Sequence, residues 1–182
     1  MTDPGSVTII PARITARDLA TVLERPLEEV QAVLRARDEP DAPDEVLGAE
    51  LAIAVASTIG VNVTVEPRDL ALERLYEFET RGELASDIGG RAGAIVEGVV
   101  SNLDELDEMI ESVAEHWSVA RMPVIDRNII RIGLYELLSD PMTPTAVVIS
   151  EAVRLAQTYS TERSSSFVNG VLATLARTIR ES

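Results

Sequence analysis

The sequence has no cysteine, no lysine and a single histidine, His116. Without cysteine, the chain can form no disulfide, no thiolate zinc site and no cysteine nucleophile. Without lysine, it has neither a Walker phosphate-binding loop nor a Schiff-base residue. One histidine excludes a metal site built from several histidines. No nucleophile stands in a recognisable pattern with a general base, so the sequence predicts a binding protein without a cofactor and not an enzyme.

Aromatic residues are also scarce. The chain has one tryptophan, three tyrosines and two phenylalanines, although 46% of its residues are hydrophobic. The core must therefore be built mainly from Leu, Ile, Val and Ala. Packed helices suit this composition better than a β-sandwich does, and we expect an all-α fold.

Long hydrophobic runs are absent too, since no stretch approaches the roughly 20 residues of a membrane span. The amino terminus lacks the basic start and apolar core of a secretory signal, so we expect a cytoplasmic protein with no membrane partner. The formal net charge is −15, with 5 Arg and 12 acidic residues over 1–66 and 11 Arg and 19 acidic residues over 67–182. Such a chain repels RNA at long range and attracts a basic protein.

The first third of the chain has the pattern of a small, mostly helical module. Val7–Ile10 is typical of a short strand, and the alternation over Val61–Val65 is typical of another. Thr15 is expected to cap a helix at its amino end, because Asp18 three positions later completes a capping pattern. Two more helices follow, the last from about Leu47 to Ile59.

Pro67 closes this module, and we expect a domain boundary there, with one domain over 1–66 and another over 67–182. The second domain is predicted to be helical throughout, because its hydrophobic residues recur at helical spacing. The helix around Ile125–Leu138 is hydrophobic on all sides, which predicts that it is buried. The other helices are expected over 72–82, from about 91, and over 103–117, 147–159 and 167–179.

Several charged residues of the second domain stand beside very hydrophobic positions. We interpret them as salt bridges and caps that hold the helices in register; they are Asp126, Arg127, Arg131, Glu136 and Glu151. The acidic run over 104–111 is interpreted as a solvated helix surface rather than a cation site. Gly89–Gly93 is interpreted as the beginning of a helix, and the neighbouring pair His116 and Trp117 as structural.

The segment Ser164–Leu172 carries more functional information. Ser164 suits a helix cap, and Arg163 stands directly before the positive end of that helix, beside a serine cluster and Phe167. Such an end presents free N–H groups that can bind an anion. On physical grounds alone a simple capped helix is favoured over an anion site, and both interpretations stay open.

The second domain resembles the NusB family of bacterial transcription antitermination factors. Four motifs carry the resemblance in the same order along the chain; they are Arg68–Phe78, Ile125–Leu137, Val148–Ala156 and Phe167–Leu172. The resemblance implies a NusB-like helical domain over 67–182 that pairs with NusE, a protein also found in the small ribosomal subunit. In that family the pair binds boxA RNA and joins the RNA polymerase antitermination complex.

The resemblance also implies site residues. The positions expected to contact or adjoin NusE are Tyr76, Asp126 and Arg127. The positions expected on the RNA-facing surface are Arg68, Arg163, Ser165 and Phe167. Family members often begin with an arginine-rich arm that adds RNA affinity, whereas this chain has Val63–Pro67 there. We therefore expect RNA binding through the complex with NusE rather than by the chain alone.

The first domain is similar to the small amino-terminal module of bacterial translation initiation factor 2. The similarity rests on short motifs, namely Ile14–Ala20, Leu27–Val30, Leu51–Ala54 and Gly60–Val65. It implies a fold more than a role, because the function of that module is poorly defined in its own family. The module occupies the place of the arginine-rich arm.

Three hypotheses follow from these resemblances. The first is an antitermination factor that binds NusE and, in complex with it, boxA-like RNA. The alternative is a non-canonical NusB-like paralogue that binds protein only, which the missing basic arm favours. The third is a ribosomal-RNA methyltransferase, since some of these enzymes carry a NusB-like domain; no cofactor-binding α/β domain follows here, so it is the least favoured.

Overall fold

A computed structural model of the chain describes residues 7–82, 89–114 and 118–180. The chain divides into two compact units, Met1–Leu70 and Ala71–Ser182. We refer to them as the amino-terminal and the carboxy-terminal unit. The interpretation of His116 and Trp117 falls outside the described residues. In the part of the chain that the structure describes, no helix combines the length and the hydrophobicity needed to cross a membrane.

The amino-terminal unit combines short strands with three helices. Strand β1 pairs with β4 in parallel, and β2 pairs with β3 antiparallel. The elements are β1 (Thr8–Ile10), β2 (Arg13–Thr15), α1 (Ala16–Val22), α2 (Leu27–Ala36), β3 (Val46–Gly48), α3 (Ala49–Ile59) and β4 (Val63–Val65). Helix α3 ends at Gly60, whose φ of 83° is the left-handed conformation in which glycine commonly terminates helices.

The structure confirms the helix cap and the two strands that the sequence predicted for this unit. The amide of Asp18 donates to the Thr15 hydroxyl at 3.1 Å, so Thr15 caps α1 as predicted. The two predicted strands exist as β1 and β4. The prediction that the third helix begins near Leu47 is wrong, because Leu47 lies in β3 opposite Ile14 of β2. These two three-residue strands were not predicted, since only their pairing across the unit makes them strands.

The core of the amino-terminal unit is aliphatic, as the scarcity of aromatic residues requires. Fully buried side chains from β1, α1, α2, β3 and α3 meet there, including Ile10, Leu19, Leu34, Leu47 and Val55. At about 25 cal/mol per Å² of buried apolar surface, each large side chain contributes on the order of 2 kcal/mol. The short strands are therefore held mainly by the side chains they bury.

The carboxy-terminal unit is a bundle of helices around a central one. Its helices are α4 (Pro67–Arg81, which begins in the amino-terminal unit), α5 (Gly90–Ser101), α6 (Leu103–Val113), α7 (Val124–Ser139), α8 (Thr145–Tyr159) and α9 (Ser164–Arg180). A single 3-10 turn over Val119–Arg121 precedes α7. Helix α7 packs against α5, α6, α8 and α9.

The burial of α7 is confirmed. Ile129, Ile130, Ile132 and Leu134 are each at most 1% exposed. Because most of α7 is buried, its buried polar residues must find partners inside the protein. The all-α fold class is also confirmed, since every element of this unit within the described ranges is helical and strands occur only in the small amino-terminal unit.

Candidate functional site

A cavity of about 420 Å³ opens at the amino-terminal end of α7. Its walls come from the 3-10 turn, the first turn of α7, the connection between α8 and α9, and the first turn of α9. The lining residues are Arg121, Met122, Pro123, Asp126, Thr161, Arg163, Ser164 and Phe167. We call this space the α7–α9 cavity.

Asp126 holds the walls of the cavity together. Its residue is 4% exposed, and its carboxylate accepts hydrogen bonds from the Ser160 and Ser164 hydroxyls. The Ser164 hydroxyl also lies 2.8 Å from that of Thr161 and 2.9 Å from that of Ser160. A buried carboxylate needs such partners, and this one fixes the α8–α9 connection to the start of α7.

Two arginines of the cavity remain available for an anion. Arg121 and Arg163 are both exposed, and neither forms an ion pair with any residue in the described ranges. The rest of the cavity wall is mainly hydrophobic, with the half-buried ring of Phe167 beside Met122 and Pro123. In a chain of net charge −15, this cavity offers positive charge next to an aromatic ring.

The arginines within α7 behave differently, because they are saturated by carboxylates. Arg131 forms two hydrogen bonds of 2.7 Å with Asp107 of α6 and a further ion pair with Glu79 of α4. Arg127 also pairs with Glu79 and donates to the carbonyl of Met122 at 3.1 Å. We call Glu79, Asp107, Arg127 and Arg131 the α7 ion-pair network.

Arg131 stays charged in this network. Burial lowers the pKa of Arg131, but the hydrogen bond and charge of Asp107, followed by the charge and hydrogen bond of Glu79, raise it above its ordinary value overall. The network therefore links three helices through fixed charges. Its carboxylates and guanidinium groups are occupied inside the domain, which favours a structural role.

The interpretation as salt bridges is confirmed for four of the five charged residues, whereas Asp126 accepts hydrogen bonds from two serine hydroxyls instead. Besides the α7 ion-pair network, Glu136 accepts from Arg91 at 2.7 Å, and Glu151 accepts from Arg154 at 3.0 Å. One detail of the acidic run over 104–111 differs from the prediction, because Asp107 binds Arg131 rather than water. Helix α5 begins at Gly90, as predicted for the glycine-rich segment. No cluster of potential metal ligands exists among the described residues.

The structure brings together two of the four residues expected on an RNA-facing surface, since Arg163 and Phe167 both line the α7–α9 cavity. Ser165 lies in the first turn of α9 outside the lining, and its hydroxyl lies 3.3 Å from the carbonyl of Glu162. Arg68 belongs to the amino-terminal unit, where its side chain is 11% exposed and lies 3.5 Å from the carboxylate of Glu66.

The three residues expected to face a protein partner are in different environments. Tyr76 on α4 is 43% exposed and presents an aromatic ring at the surface. Asp126 is a buried wall residue of the α7–α9 cavity, and Arg127 belongs to the α7 ion-pair network. Of these three residues, Tyr76 is the one that is exposed.

Sequence reasoning did not identify Arg121, Met122 or Pro123 as site residues. They lie in a short irregular segment, where hydrophobic periodicity gives no information. One signal was present: no acidic residue occurs within four positions of Arg121 on either side, so the arginine has no local partner.

Comparison with protein families gives a match over most of the chain. The sequence model of the NusB family matches residues 53–177. A transcription antitermination protein NusB of Clavibacter michiganensis subsp. michiganensis is 51% identical over 136 residues, covering 65% of this chain and 98% of that relative. One from Leifsonia xyli subsp. xyli is 51% identical over 86 residues, covering 47% of this chain and 60% of that relative, which is less than two thirds of its length.

Two solved structures show the same fold. NusB of T. maritima superposes with a TM-score of 0.55 at 33% identity, covering 61% of this chain and 88% of that one. A chain from a crystal structure of the antitermination factors NusB and NusE in complex with dsRNA superposes with a TM-score of 0.53 at 28% identity. That match covers 62% of this chain and 94% of the other.

Proposed function

Because this chain belongs to the NusB family, we propose that it is a transcription antitermination factor that binds a NusE-like ribosomal protein and, in complex with it, boxA-like RNA. The chain is not an enzyme, since the family consists of non-catalytic antitermination factors. We expect the chain to act in the RNA polymerase antitermination complex.

One observation carries this proposal. The chain matches 94% of a relative that was crystallised with NusE and dsRNA, and it does so at 28% identity. A likeness of that extent shows that this chain has the fold on which that relative meets its partners. It supports a protein partner together with an RNA, and so it favours the antitermination factor over the paralogue that binds protein only.

For RNA, we propose that the surface around the α7–α9 cavity is the contact region. Arg163 and Phe167 were expected there from the family resemblance, and they line the cavity side by side with Arg121. Ser165 in the adjacent turn of α9 belongs to the same proposed surface. Arg68, the fourth residue that the family resemblance places on an RNA-facing surface, lies in the amino-terminal unit, where its guanidinium group is 3.5 Å from the carboxylate of Glu66.

For the protein partner, we propose a contact centred on Tyr76. An exposed tyrosine can bury a large ring at an interface while its hydroxyl keeps a polar partner. Asp126 and Arg127 would then support the interface indirectly, by fixing the start of α7. The net charge of −15 favours a basic partner, and a basic NusE-like protein would supply the positive charge that the missing arginine-rich arm does not.

We also propose that residues 1–66, which make up most of the amino-terminal unit, form a module similar to that of translation initiation factor 2. The three short helices and the small strands of this unit support the proposal. The NusB family model, which matches residues 53–177, begins within α3. A cytoplasmic location follows from the proposed role in transcription.

The proposal is tested by titrating labelled boxA RNA with the full chain, with its cognate NusE and with both, at two salt concentrations. We expect tight, salt-sensitive binding by the mixture and weak binding by this chain alone, because NusE brings the basic surface. A scrambled RNA of equal length is the control for sequence preference. If the mixture binds boxA and scrambled RNA equally weakly while NusE still binds, the chain is a protein-binding paralogue instead.

A further inference from the structure

We propose that Glu79 is a positioning residue for the protein partner, because its carboxylate fixes the part of α4 that carries Tyr76 to helix α7. This inference rests on the proposed function and deepens it, since it names a side chain that keeps the proposed contact surface in order. The Glu79 side chain is only 15% exposed, so it acts through Tyr76 rather than by touching the partner. Neither the motifs nor the family resemblance identified Glu79.

The hydrophobic attachment of α4 to the carboxy-terminal unit ends before the helix does. Leu72 and Leu75 are at most 3% exposed and belong to the core of that unit. The next hydrophobic residues along the helix are Tyr76, which is exposed, and Phe78, which is half-buried. Helix α4 nevertheless continues to Arg81. Because helix ends with few buried contacts open easily, the last turns of α4 need another attachment to stay in place.

The other polar side chains near the end of α4 bond within the helix. Glu77 pairs with Arg81 at 3.8 Å, and the Thr80 hydroxyl donates to the carbonyl of Tyr76 at 2.8 Å. The hydrogen bonds of Glu79 leave the helix and join it to α7. Residues three positions apart on a helix are surface neighbours, with Cβ atoms about 5 to 6 Å apart. Glu79 therefore attaches the helix beside the tyrosine.

Each oxygen of the Glu79 carboxylate binds a different arginine of α7. Oε2 accepts from Nε and Nη2 of Arg127, at 2.8 and 2.5 Å, and Oε1 accepts from Nη1 of Arg131. Charge-assisted bonds of this kind also fix geometry. Arg131 is held on its other side by Asp107 of α6, and Arg127 by the carbonyl of Met122. The end of α4 is thus attached to two side chains that are themselves fixed.

A glutamine at position 79 would keep the shape of the side chain and lose this attachment. It has one acceptor oxygen, and its NH₂ group would face a guanidinium donor, so it cannot hold Arg127 and Arg131 together. Asp107 would still pair with Arg131, which leaves α6 and α7 joined. The effect of Glu79→Gln should therefore fall on α4. Apparent affinity falls in proportion to the fraction of the chain that is ready to bind.

The first test measures the affinity of the full chain for its cognate NusE by calorimetric titration. We expect Glu79→Gln to weaken binding about fivefold, because Tyr76 is in place for a smaller fraction of the time. Glu77→Gln, which removes pairs within α4, should leave the affinity nearly unchanged. Asp107→Asn removes the other carboxylate of the α7 ion-pair network and keeps Glu79, so it controls for a general loss of stability. Its affinity should match that of the unchanged chain.

The second test follows Tyr76 directly. The chain has three tyrosines, so fluorotyrosine gives a simple fluorine NMR spectrum, in which Tyr76→Phe identifies the resonance of Tyr76. We expect Glu79→Gln to shift or broaden this resonance and to leave those of Tyr135 and Tyr159 in place. Asp107→Asn should leave all of them in place. A general loss of stability would instead alter the buried part of the spectrum as well.

The third test asks whether Glu79 acts through Tyr76. Affinity for NusE is measured for Tyr76→Ala with and without Glu79→Gln, which completes a double-mutant cycle. We expect Glu79→Gln to have little further effect in the Tyr76→Ala chain, because no ring remains to be positioned. Equal weakening in both backgrounds would show that the two residues contribute independently, and it would overturn the positioning role.

The outcomes separate this inference from the proposed function. If the unchanged chain binds NusE and Glu79→Gln binds equally well, the positioning role is overturned and the partner assignment stands. The same holds if Glu79→Gln and Asp107→Asn weaken binding equally, or if the Tyr76 resonance does not respond to Glu79→Gln. If the unchanged chain does not bind NusE at all, both the proposed function and the positioning role are overturned.

Discussion

The carboxylate of Asp126, in the first turn of α7, accepts a hydrogen bond of 2.9 Å from the hydroxyl of Ser164, the first residue of α9, across 38 positions of sequence. Asp126 was expected at a partner interface because of the family resemblance. Its burial and its second hydrogen bond, from the Ser160 hydroxyl, show that it also has a structural role. It orders the end of the bundle at which the α7–α9 cavity opens.

Removing this carboxylate should destabilise the domain. Asp126→Ala leaves the buried Ser164 hydroxyl and the half-buried Ser160 hydroxyl without their charged acceptor, so the free energy of unfolding should fall by about 2 kcal/mol. Asp126→Asn keeps one acceptor oxygen and should have a smaller effect. Urea denaturation followed by circular dichroism measures both. Glu108→Ala, at an exposed position on α6, is the matched control. Unchanged stability of Asp126→Ala would show that the two serine bonds contribute nothing net.

The α7 ion-pair network should be much more sensitive than a surface ion pair. Arg131→Met leaves Glu79 and Asp107, whose side chains are 15% and 30% exposed, without their shared cation. We expect a loss of about 3 kcal/mol of stability. Arg154→Met removes the same charge from a pair with Glu151 within α8, whose side chains are 36% and 29% exposed, and should change stability by about 0.5 kcal/mol or less. Equal effects of the two substitutions in urea denaturation would contradict the structural role of the network.

Two glycines in helices predict opposite effects of the same substitution. A Cβ added at Gly98 in α5 would overlap the ring of Tyr135 on α7, whereas one added at Gly170 in α9 meets open space. Gly98→Ala should therefore lower stability by about 1 to 3 kcal/mol. Gly170→Ala should raise it by about 0.5 to 1 kcal/mol, because alanine favours helix. Thermal unfolding distinguishes the two. If Tyr135→Leu does not reduce the penalty of Gly98→Ala, the contact is not its cause.

Tyr76 should contribute to the affinity for the protein partner and not to the stability of the fold. Because its residue is 43% exposed, Tyr76→Ala should leave the free energy of unfolding nearly unchanged. The same change should weaken binding to NusE about tenfold, as truncation of an aromatic contact at an interface does. Calorimetric titration gives the affinity. Met142→Ala, at an exposed hydrophobic residue between α7 and α8 that is 88% exposed, is the control. Equal affinity of the Tyr76→Ala and Met142→Ala proteins would remove Tyr76 from the interface.

Asp140, which follows α7, should titrate at low pH. The hydrogen bond from the Thr143 hydroxyl, at 2.6 Å, is the main cause that lowers the pKa of Asp140 below its ordinary value; amides of the same turn and Arg91 add to it. Stability from this turn is thus present at neutral pH and is lost as the pH falls through that lowered pKa. Thr143→Val should raise the pKa of Asp140 in a carboxylate titration by NMR, and Thr145→Val should not. An unchanged pKa in Thr143→Val would contradict the assigned cause.

Much of the secondary structure could be predicted because its signals are local. The cap at Thr15, the end of α3 at Gly60 and the helical spacing of the second domain lie within a few positions of the residues they affect. The burial of α7 followed from a hydrophobic pattern without a polar side. Strands β2 and β3 escaped prediction because neither has a stable conformation alone, and their pairing joins residues about 30 positions apart.

The candidate site was predictable only in part, for the same reason. The motifs placed Arg163 and Phe167 on a functional surface, and the structure brings both to the α7–α9 cavity. Arg121 comes from the 3-10 turn and enters the site only because the fold brings that turn to the cavity that Arg163 and Phe167 also line. Arg127 was expected to contact or adjoin the protein partner because of the family resemblance. Its side chain pairs with Glu79 and donates a hydrogen bond to the carbonyl of Met122.

The sequence by itself determined the class of the protein. Composition excluded cysteine and lysine chemistry, the net charge favoured a basic partner, and helical periodicity with four ordered motifs indicated the family that the comparisons confirmed. Only the tertiary structure decided which charges are free, because pairing depends on distances between helices that the chain order does not contain. Arg131 is neutralised by a residue 24 positions away, whereas Arg121 and Arg163 find no carboxylate in the described part of the chain. The two arginines without a carboxylate partner both line the α7–α9 cavity, and this is why we place the candidate site there.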